Sequence, residues 1–444
     1  MWTPEQIAML EAHCTAVTRP ATVMQEQQDT RPSTIIDVHE QQHKRPSAAD
    51  VQEQQVRPAT TKAERRARQE AEREAKAQQR AASLMDKRGL IRWESLRTST
   101  PEAAWQMLSF VYQVEPLPLS RFIEPPPKAP SHVRFVCISD THSKHTALTV
   151  PAGDVLLHTG DFSHTGRPHE IRDFCDWLAA QPHPRKILIA GNHDLTMHSA
   201  SYERTSSEWS IESSGHADRA AECAEARALI AAMVDRGCEY LCDSGTTVDG
   251  LRVWGAPWQP RYAGAFNLQR GPPLRDKWRL VPDGTDVLLT HSPPLGHGDL
   301  TASKKRAGCL DLLEEVTQRI SPRVHCFGHI HEGHGVTTDG TTTFVNASSC
   351  TRRTQCNQQP LVFDLPARPR RQGGGGAPQR PGAASCATSE ASAGSRPAAS
   401  PLRDDDSLVE QHDDEPGSAR SSPDGTRHER TAIVTAITKM VAGA

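Results

Sequence analysis

The middle of this chain predicts an α/β domain with buried strands layered against helices, on three observations. Short apolar runs rich in β-formers recur at 133–139 (VRFVCIS), 154–158 (DVLLH), 186–190 (KILIA), 286–290 (DVLLT) and 323–328 (RVHCFG). Helix-like stretches separate several of them, at 168–180 and 308–319. Each run ends in a polar cluster. Continuous rather than alternating apolar character marks strands covered on both faces, which is the texture of layered α/β sheets.

The elements follow in chain order. Residues 1–61 carry a degenerate repeat opened by Arg19-Pro20, Arg31-Pro32, Arg45-Pro46 and Arg57-Pro58 in a Gln/Thr-rich background. Units of 12 to 14 residues without an apolar face build no solenoid, so this reads as a disordered extended arm. Residues 62–131 form a charged helical segment and a Pro-rich linker. Within 62–88, Ala, Glu, Arg, Lys and Gln dominate, and Glu64/Arg68 and Glu72/Lys76 add i,i+4 support to a solvated helix. A short helix is expected among the scattered apolar residues Trp105, Leu108, Phe110 and Tyr112. The folded domain spans 132–365, ending in an antiparallel finish of VTTD, TTFVN and PLVFD. Residues 366–444 turn Gly/Pro/Ser-rich and then acidic, a second disordered extension.

Composition excludes several classes. Hydrophobic residues are only 36% of 444, with 29 Gly and 33 Pro, so a large share of the chain cannot bury enough surface to fold. Lys+Arg 51 against Asp+Glu 54 leaves a charge of −3, and gives no electrostatic basis for binding a nucleic-acid polymer. No apolar run reaches the length a membrane span needs, and Glu5 and Glu11 break any signal-peptide pattern. Eleven scattered cysteines without a CxxC pair read as reduced thiols in a cytoplasmic protein, Cys238 and Cys242 included.

The polar clusters carry the chemistry. They are Asp140-Thr141-His142, Gly160-Asp161, Gly191-Asn192-His193-Asp194, Thr290-His291 and Gly328-His329-Ile330-His331. Carboxyl ends of strands in α/β sheets are where sites form, so the five converge on one place. Asp140 and His142, two apart on extended backbone, would point to the same side, and His329 and His331 would repeat that geometry. The glycines let backbone turn beside a crowded site. Two Asp, one Asn and four His without thiolate form a mixed oxygen/nitrogen shell suited to Mn, Fe, Zn or Co. Seven ligands are too many for one ion and fit two sharing a carboxylate, an arrangement that hydrolyses phosphoesters. His158, His183 and His325 read as structural, and His334 as a loop residue.

In this order the blocks DTH, GD, GNHD, a lone His after a strand, and GHIH resemble the calcineurin-like metallophosphoesterases. FVCISDTHS, HTGDFS, IAGNHDLT, WGAPWQP, FNLQRG, DVLLTHSPPLG, FGHIHEG and NASSCT resemble the metallophosphoesterase-domain (MPPED) branch. The resemblance spans 132–365 and implies a layered β-sandwich flanked by helices. It implies one ion on Asp140, His142 and His331, a second on Asn192, His291 and His329, and Asp161 bridging them. It gives His193 the role of general acid and Asp194, where Glu is common, the task of orienting His193. Two divalent ions, manganese first, are the implied cofactors, holding the attacking hydroxide.

The branch implies a phosphodiesterase acting on cyclic nucleotides and other small phosphodiesters. The segment 254–267, with Trp254, Trp258 and Arg261, is a candidate to stack a base or meet a phosphate substituent, although both tryptophans also suit a core. The alternatives are a protein phosphatase or nuclease on the same metal centre, and a non-catalytic scaffold whose arms bind protein partners.

Overall fold

The computed structural model describes residues 61–86, 88–97, 100–205 and 216–368. The repeat arm and all but the first residues of the acidic tail lie outside them. Strands β1 (Glu115–Pro116), β2 (His132–Ile138), β3 (Val155–Thr159), β4 (Arg185–Ile189), β5 (Cys238–Tyr240), β6 (Ser244–Val248) and β7 (Leu251–Ala256) make the first half. Strands β8 (Gln259–Pro260), β9 (Asn267–Leu268), β10 (Val287–Thr290), β11 (Val324–Phe327), β12 (Gly335–Thr338), β13 (Thr343–Asn346) and β14 (Leu361–Pro366) make the second. They assemble a seven-stranded sheet, order β1-β12-β13-β11-β10-β7-β6, a five-stranded sheet, order β14-β2-β3-β4-β5, and a two-stranded pair, β8-β9. The centres are parallel, β2–β3–β4–β5 in one and β7–β10–β11–β13 in the other. Strands β14, β6 and β12 pair antiparallel near the edges.

Side-chain alternation makes the layers. Val133, Phe135 and Cys137 of β2, Val155 and Leu157 of β3, and Ile187 and Ile189 of β4 share one core with Val253, Val287, Leu289, Val324 and Val345 of the other sheet. The intervening residues Val136, Ile138, Leu156 and Leu188 belong to a second core with Phe174 and Leu178 of the helix Pro168–Ala180 and Ile230 of the helix His216–Ala231. Leu288 and Phe344 join that same core with Trp278 and Leu312. Two covered faces explain why β3 and β10 read as unbroken apolar runs, every residue of both being buried. By contrast β6, SGTTV at a sheet edge, alternates partly buried and exposed positions.

The helix expected in the charged segment forms at Lys62–Leu84, and its last residue, Leu84, is buried. Residues ahead of 132 also pack onto the domain. Leu84, Trp93, Leu96, Ala104 and Leu108 pack in one cluster with Leu295 and Leu313. Arg97 donates to Asp311 (2.8 Å) and Glu314 (2.9 Å), and β1 pairs with β12. These apolar residues are too sparse to form a core of their own, and no local pattern reveals that they complete another. Among the described cysteines eight are free and buried, but Cys242 is disulfide-bonded, against the expectation of reduced thiols throughout. No described helix is long and apolar enough to cross a membrane.

Candidate metal centre

All five clusters meet where parallel strands of the two sheets end. Asp140 follows β2, Asp161 follows β3, Asn192 and His193 follow β4, His291 follows β10, and His329 and His331 follow β11. The backbone is not extended there. Asp140 (φ 50°), His142 (φ 43°), Asp161 (φ 55°) and His329 (φ 67°) are left-handed, a conformation that costs a non-glycine residue about 1–3 kcal/mol. Asp140 and His142 therefore converge through tight turns rather than through strand alternation, and His329 and His331 part toward different groups. The expected role of the glycines holds: a Cβ on Gly191 would lie 2.2 Å from Asp161 Oδ1, and one on Gly328 2.0 Å from Asp140 Oδ2.

Two mixed Asp/His sets of potential ligand atoms result, Asp140/His142/His331 and Asp161/His291/His329, beside an all-histidine set, His142/His164/His193, each with its atoms within 4.8 Å of one another. In the first, His331 Nε2 is 3.2 Å from His142 Nε2 and 3.4 Å from Asp140 Oδ1. In the second, His291 Nε2 is 3.4 Å from Asp161 Oδ2 and 3.0 Å from Asn192 Oδ1. Ligands about 2.1 Å from a common ion stand about 3.0–3.4 Å apart, so these spacings suit a pair of cations. Asp161 Oδ2 also lies 3.9 Å from His142 Nε2, which puts this carboxylate between the two sets, as a bridge requires.

Outer contacts fix the rings. His291 Nδ1 faces the Thr159 carbonyl (3.0 Å) and His331 Nδ1 the Thr351 carbonyl (3.2 Å), so each presents Nε2 inward. Asp140 accepts from the His329 amide (3.0 Å) and from Ser348 Oγ (2.9 Å). Electrostatics balance within the cluster. Burial opposes charge on His291 and His331, yet Asp161 and Asp140 respectively override it and lift both pKa values to about 9. The same charges, His331 beside Asp140 and His291 beside Asp161, hold the two carboxyls below the usual range despite burial. Burial pushes His142 and His329 down to about 3. In the metal-free cluster two protonated histidines thus offset two carboxylates, and cations would take the place of those protons.

His193 sits at the cavity mouth with its amide donating to Asp161 Oδ1 (2.8 Å) and its Nδ1 2.7 Å from the His164 carbonyl. Asp194 does not do the orienting expected of it. Its carboxylate accepts from the amides of Gly191 (2.8 Å), Asp161 (2.9 Å) and Ser163 (2.9 Å) and from Ser163 Oγ (2.6 Å). It ties the Gly160-Asp161 turn to the Gly191-Asn192-His193 turn, and a main-chain carbonyl positions His193 instead. Burial, reinforced by Asp161, raises the Asp194 pKa to about 7 while these donors favour its ionised form.

His158 and His325 bond Thr141 Oγ1 (3.0 Å) and Thr290 Oγ1 (2.8 Å), His183 bonds the Pro151 carbonyl (3.0 Å) and His334 the Gln359 carbonyl (3.0 Å), structural roles in keeping with the sequence. Trp258 is buried against His198 and Phe266, hence core. A cavity of about 600 Å³ opens on the centre, lined by Asp161, Asn192, His193, Arg261, Tyr262 and Arg352 among others. The sequence left His164, Ser348, Thr351 and Arg352 unmarked. Only the NASSCT block, which contains Ser348 and Thr351, carried a signal for two of them.

Residues 133–333 match the family model of the calcineurin-like phosphoesterases. The human and mouse metallophosphoesterase domain-containing protein 1 are each 44% identical to this chain over 259 residues, 58% of this chain and 76% of theirs. A Caenorhabditis elegans protein, UPF0046 protein T07D4.2, is 40% identical over 61% of this chain and 69% of its own length. The chain belongs to the calcineurin-like phosphoesterase family, in the metallophosphoesterase domain-containing branch. Metal-dependent phosphoester hydrolysis at a two-ion centre is the chemistry this fold and donor set define.

Proposed function

We propose that the chain is a phosphodiesterase for small phosphodiesters, cyclic nucleotides among them, with manganese as its preferred ion. The cavity carries this reading. It adjoins both ligand sets, and Arg261 and Arg352 add positive charge for an anionic ester. Tyr262, 67% exposed, sets its ring edge-on to His329 at 5.5 Å and offers a planar group a stacking surface. About 600 Å³ suits a nucleotide rather than a polymer.

Asp140, His142 and His331 would hold one ion, Asn192, His291 and His329 the other, with Asp161 shared. Bound divalent ions supply hydroxide at neutral pH and neutralise the ester's charge. His193, held through Nδ1 by the His164 carbonyl, would pass a proton to the departing oxygen. Eight buried free thiols, set against the single paired Cys242 among the described cysteines, support a cytoplasmic setting, and the charge-patterned arms support protein partners as their ligands.

The test sets an aryl phosphodiester, cyclic nucleotides, a phosphopeptide and single-stranded DNA side by side with the full chain and Mn²⁺. Preference for the first two supports the reading. Preference for the phosphopeptide or DNA redirects it to a phosphatase or nuclease, and no turnover of any of them leaves a scaffold.

A further inference from the structure

Cys350 and Cys356 face each other across an antiparallel bridge beside the centre. The Thr351 amide donates to the Gln355 carbonyl (2.8 Å) just inside it, which makes the cysteines a non-hydrogen-bonded pair. Such partners have Cα atoms about 4.5 Å apart with side chains close, within the 4.4–6.8 Å range that a disulfide spans. The Cys350 thiol donates to the Thr141 carbonyl (3.7 Å), between the ligands Asp140 and His142. The neighbouring Cys350 holds the Cys356 thiol below its usual pKa despite burial, and Lys144 acts in the same sense.

The loop they close reaches the centre from three sides. Thr351 supplies the carbonyl that fixes His331, Arg352 lines the cavity, and the Cys350 amide donates to the Asp140 carbonyl (3.2 Å). Gln358 Nε2 ties the loop to the carbonyls of Ser348 (2.8 Å), Cys350 (3.0 Å) and His331 (3.2 Å).

We propose that Cys350 and Cys356 form an oxidisable dithiol, closed to a disulfide by a peroxide, and that closure weakens the ion held by Asp140, His142 and His331. Cys356, 8% exposed against 0% for Cys350, meets the oxidant first. Its thiolate attacks the peroxide, so that the O–O bond breaks, hydroxide leaves and is protonated to water, and a sulfenic acid forms. Cys350 sulfur then attacks Cys356 sulfur, its thiol proton goes to the departing hydroxyl, and a second water leaves. Two thiols lose two electrons and two protons, and one peroxide becomes two waters. Drawing the sulfurs to bond length takes the Cys350 thiol off the Thr141 carbonyl, tightens the ring and pulls the Thr351 carbonyl off His331 Nδ1. Cys137 and Cys326 provide the comparison, two thiols of the same core sealed between the sheets at 0% exposure.

The inference rests on His331 as a ligand, and its chemistry is read without turnover. Full-length protein, reduced and then titrated with hydrogen peroxide, is alkylated and mapped by peptide mass spectrometry, and its Mn²⁺ affinity is measured by calorimetry. Expected is a 350–356 cross-link ahead of any at 137–326, with Mn²⁺ binding roughly tenfold weaker, the lower end of what losing a ligand's outer partner costs. Thiol reductant should restore affinity, and Cys356→Ser should be insensitive. The cross-link measurement needs no variant. Free thiols or a sulfinic acid at Cys356 instead of the cross-link would overturn the proposal, as would a cross-link that leaves Mn²⁺ affinity unchanged. Failure of the phosphodiesterase reading shows separately, as absent hydrolysis in the reduced protein.

Discussion

Replacing Asp161 by Asn keeps the side-chain shape and the acceptor for the His193 amide, and removes one negative charge between the two ligand sets. The strength of that charge can be taken from His291. Burial alone would lower the His291 pKa, yet with Asp161 3.4 Å away it rises from 6.5 to about 9. At about 1.4 kcal/mol per pH unit, that net change is about 3 kcal/mol for a single positive charge, with Asp161 the largest raising influence and Asp140 and the Thr159 carbonyl adding to it. Two divalent ions sharing the carboxylate lose at least as much, so affinity should fall at least about a hundredfold for the pair. The assay is metal content after equilibrium dialysis against a Mn²⁺ series, with hydrolysis of an aryl phosphodiester measured on the same samples. Metal content and turnover should fall together. Wild-type turnover in Asp161→Asn at wild-type Mn²⁺ concentrations would refute the shared-carboxylate assignment.

The general acid should separate from the metal: His193→Ala is expected to keep both ions and lose roughly 10²–10⁴-fold in kcat, by metal analysis and steady-state kinetics. Asp194→Asn turns an amide toward the backbone N–H groups of Gly191 and Asp161, and should cost about 2–5 kcal/mol for the stranded donors. A thermal melt matching wild type would remove that role from Asp194. Because His291 and His331 carry protons in the metal-free cluster, with pKa values near 9, binding of two Mn²⁺ at pH 7 should release about two protons. Their partner charges persist in that range, so apparent affinity should climb as pH rises toward 9 and level off above it. Calorimetry in buffers of differing ionisation enthalpy counts the protons, and a count near zero would mean neutral histidines at the start.

Which residues gather at the candidate centre was legible because each follows an apolar run. A strand buried on both faces must be apolar to its end, so a sudden His or Asp there stands out. Side-chain identity also reported the donor chemistry. What was hidden lies in the backbone and in distant contacts. The carbonyls of His164 and Thr351 leave no trace in residue type, and Asp194, read from its neighbour in sequence, spends its carboxylate on two turns instead. The docking of Trp93, Leu96 and Leu108 onto Leu295 and Leu313 joins segments nearly two hundred residues apart, beyond any local periodicity.

The sequence by itself determined the layered α/β class, the seven-donor set and the shared place of its parts, since hydrophobic runs and ligand types are local properties of the chain. Only the tertiary structure decided the left-handed turns that aim the ligands, the extent of the domain ahead of His132, the partner of His193 and the meeting of Cys350 with Cys356. These depend on which backbone groups and surfaces are brought together when the two sheets close, and that distance information is absent until the chain has folded.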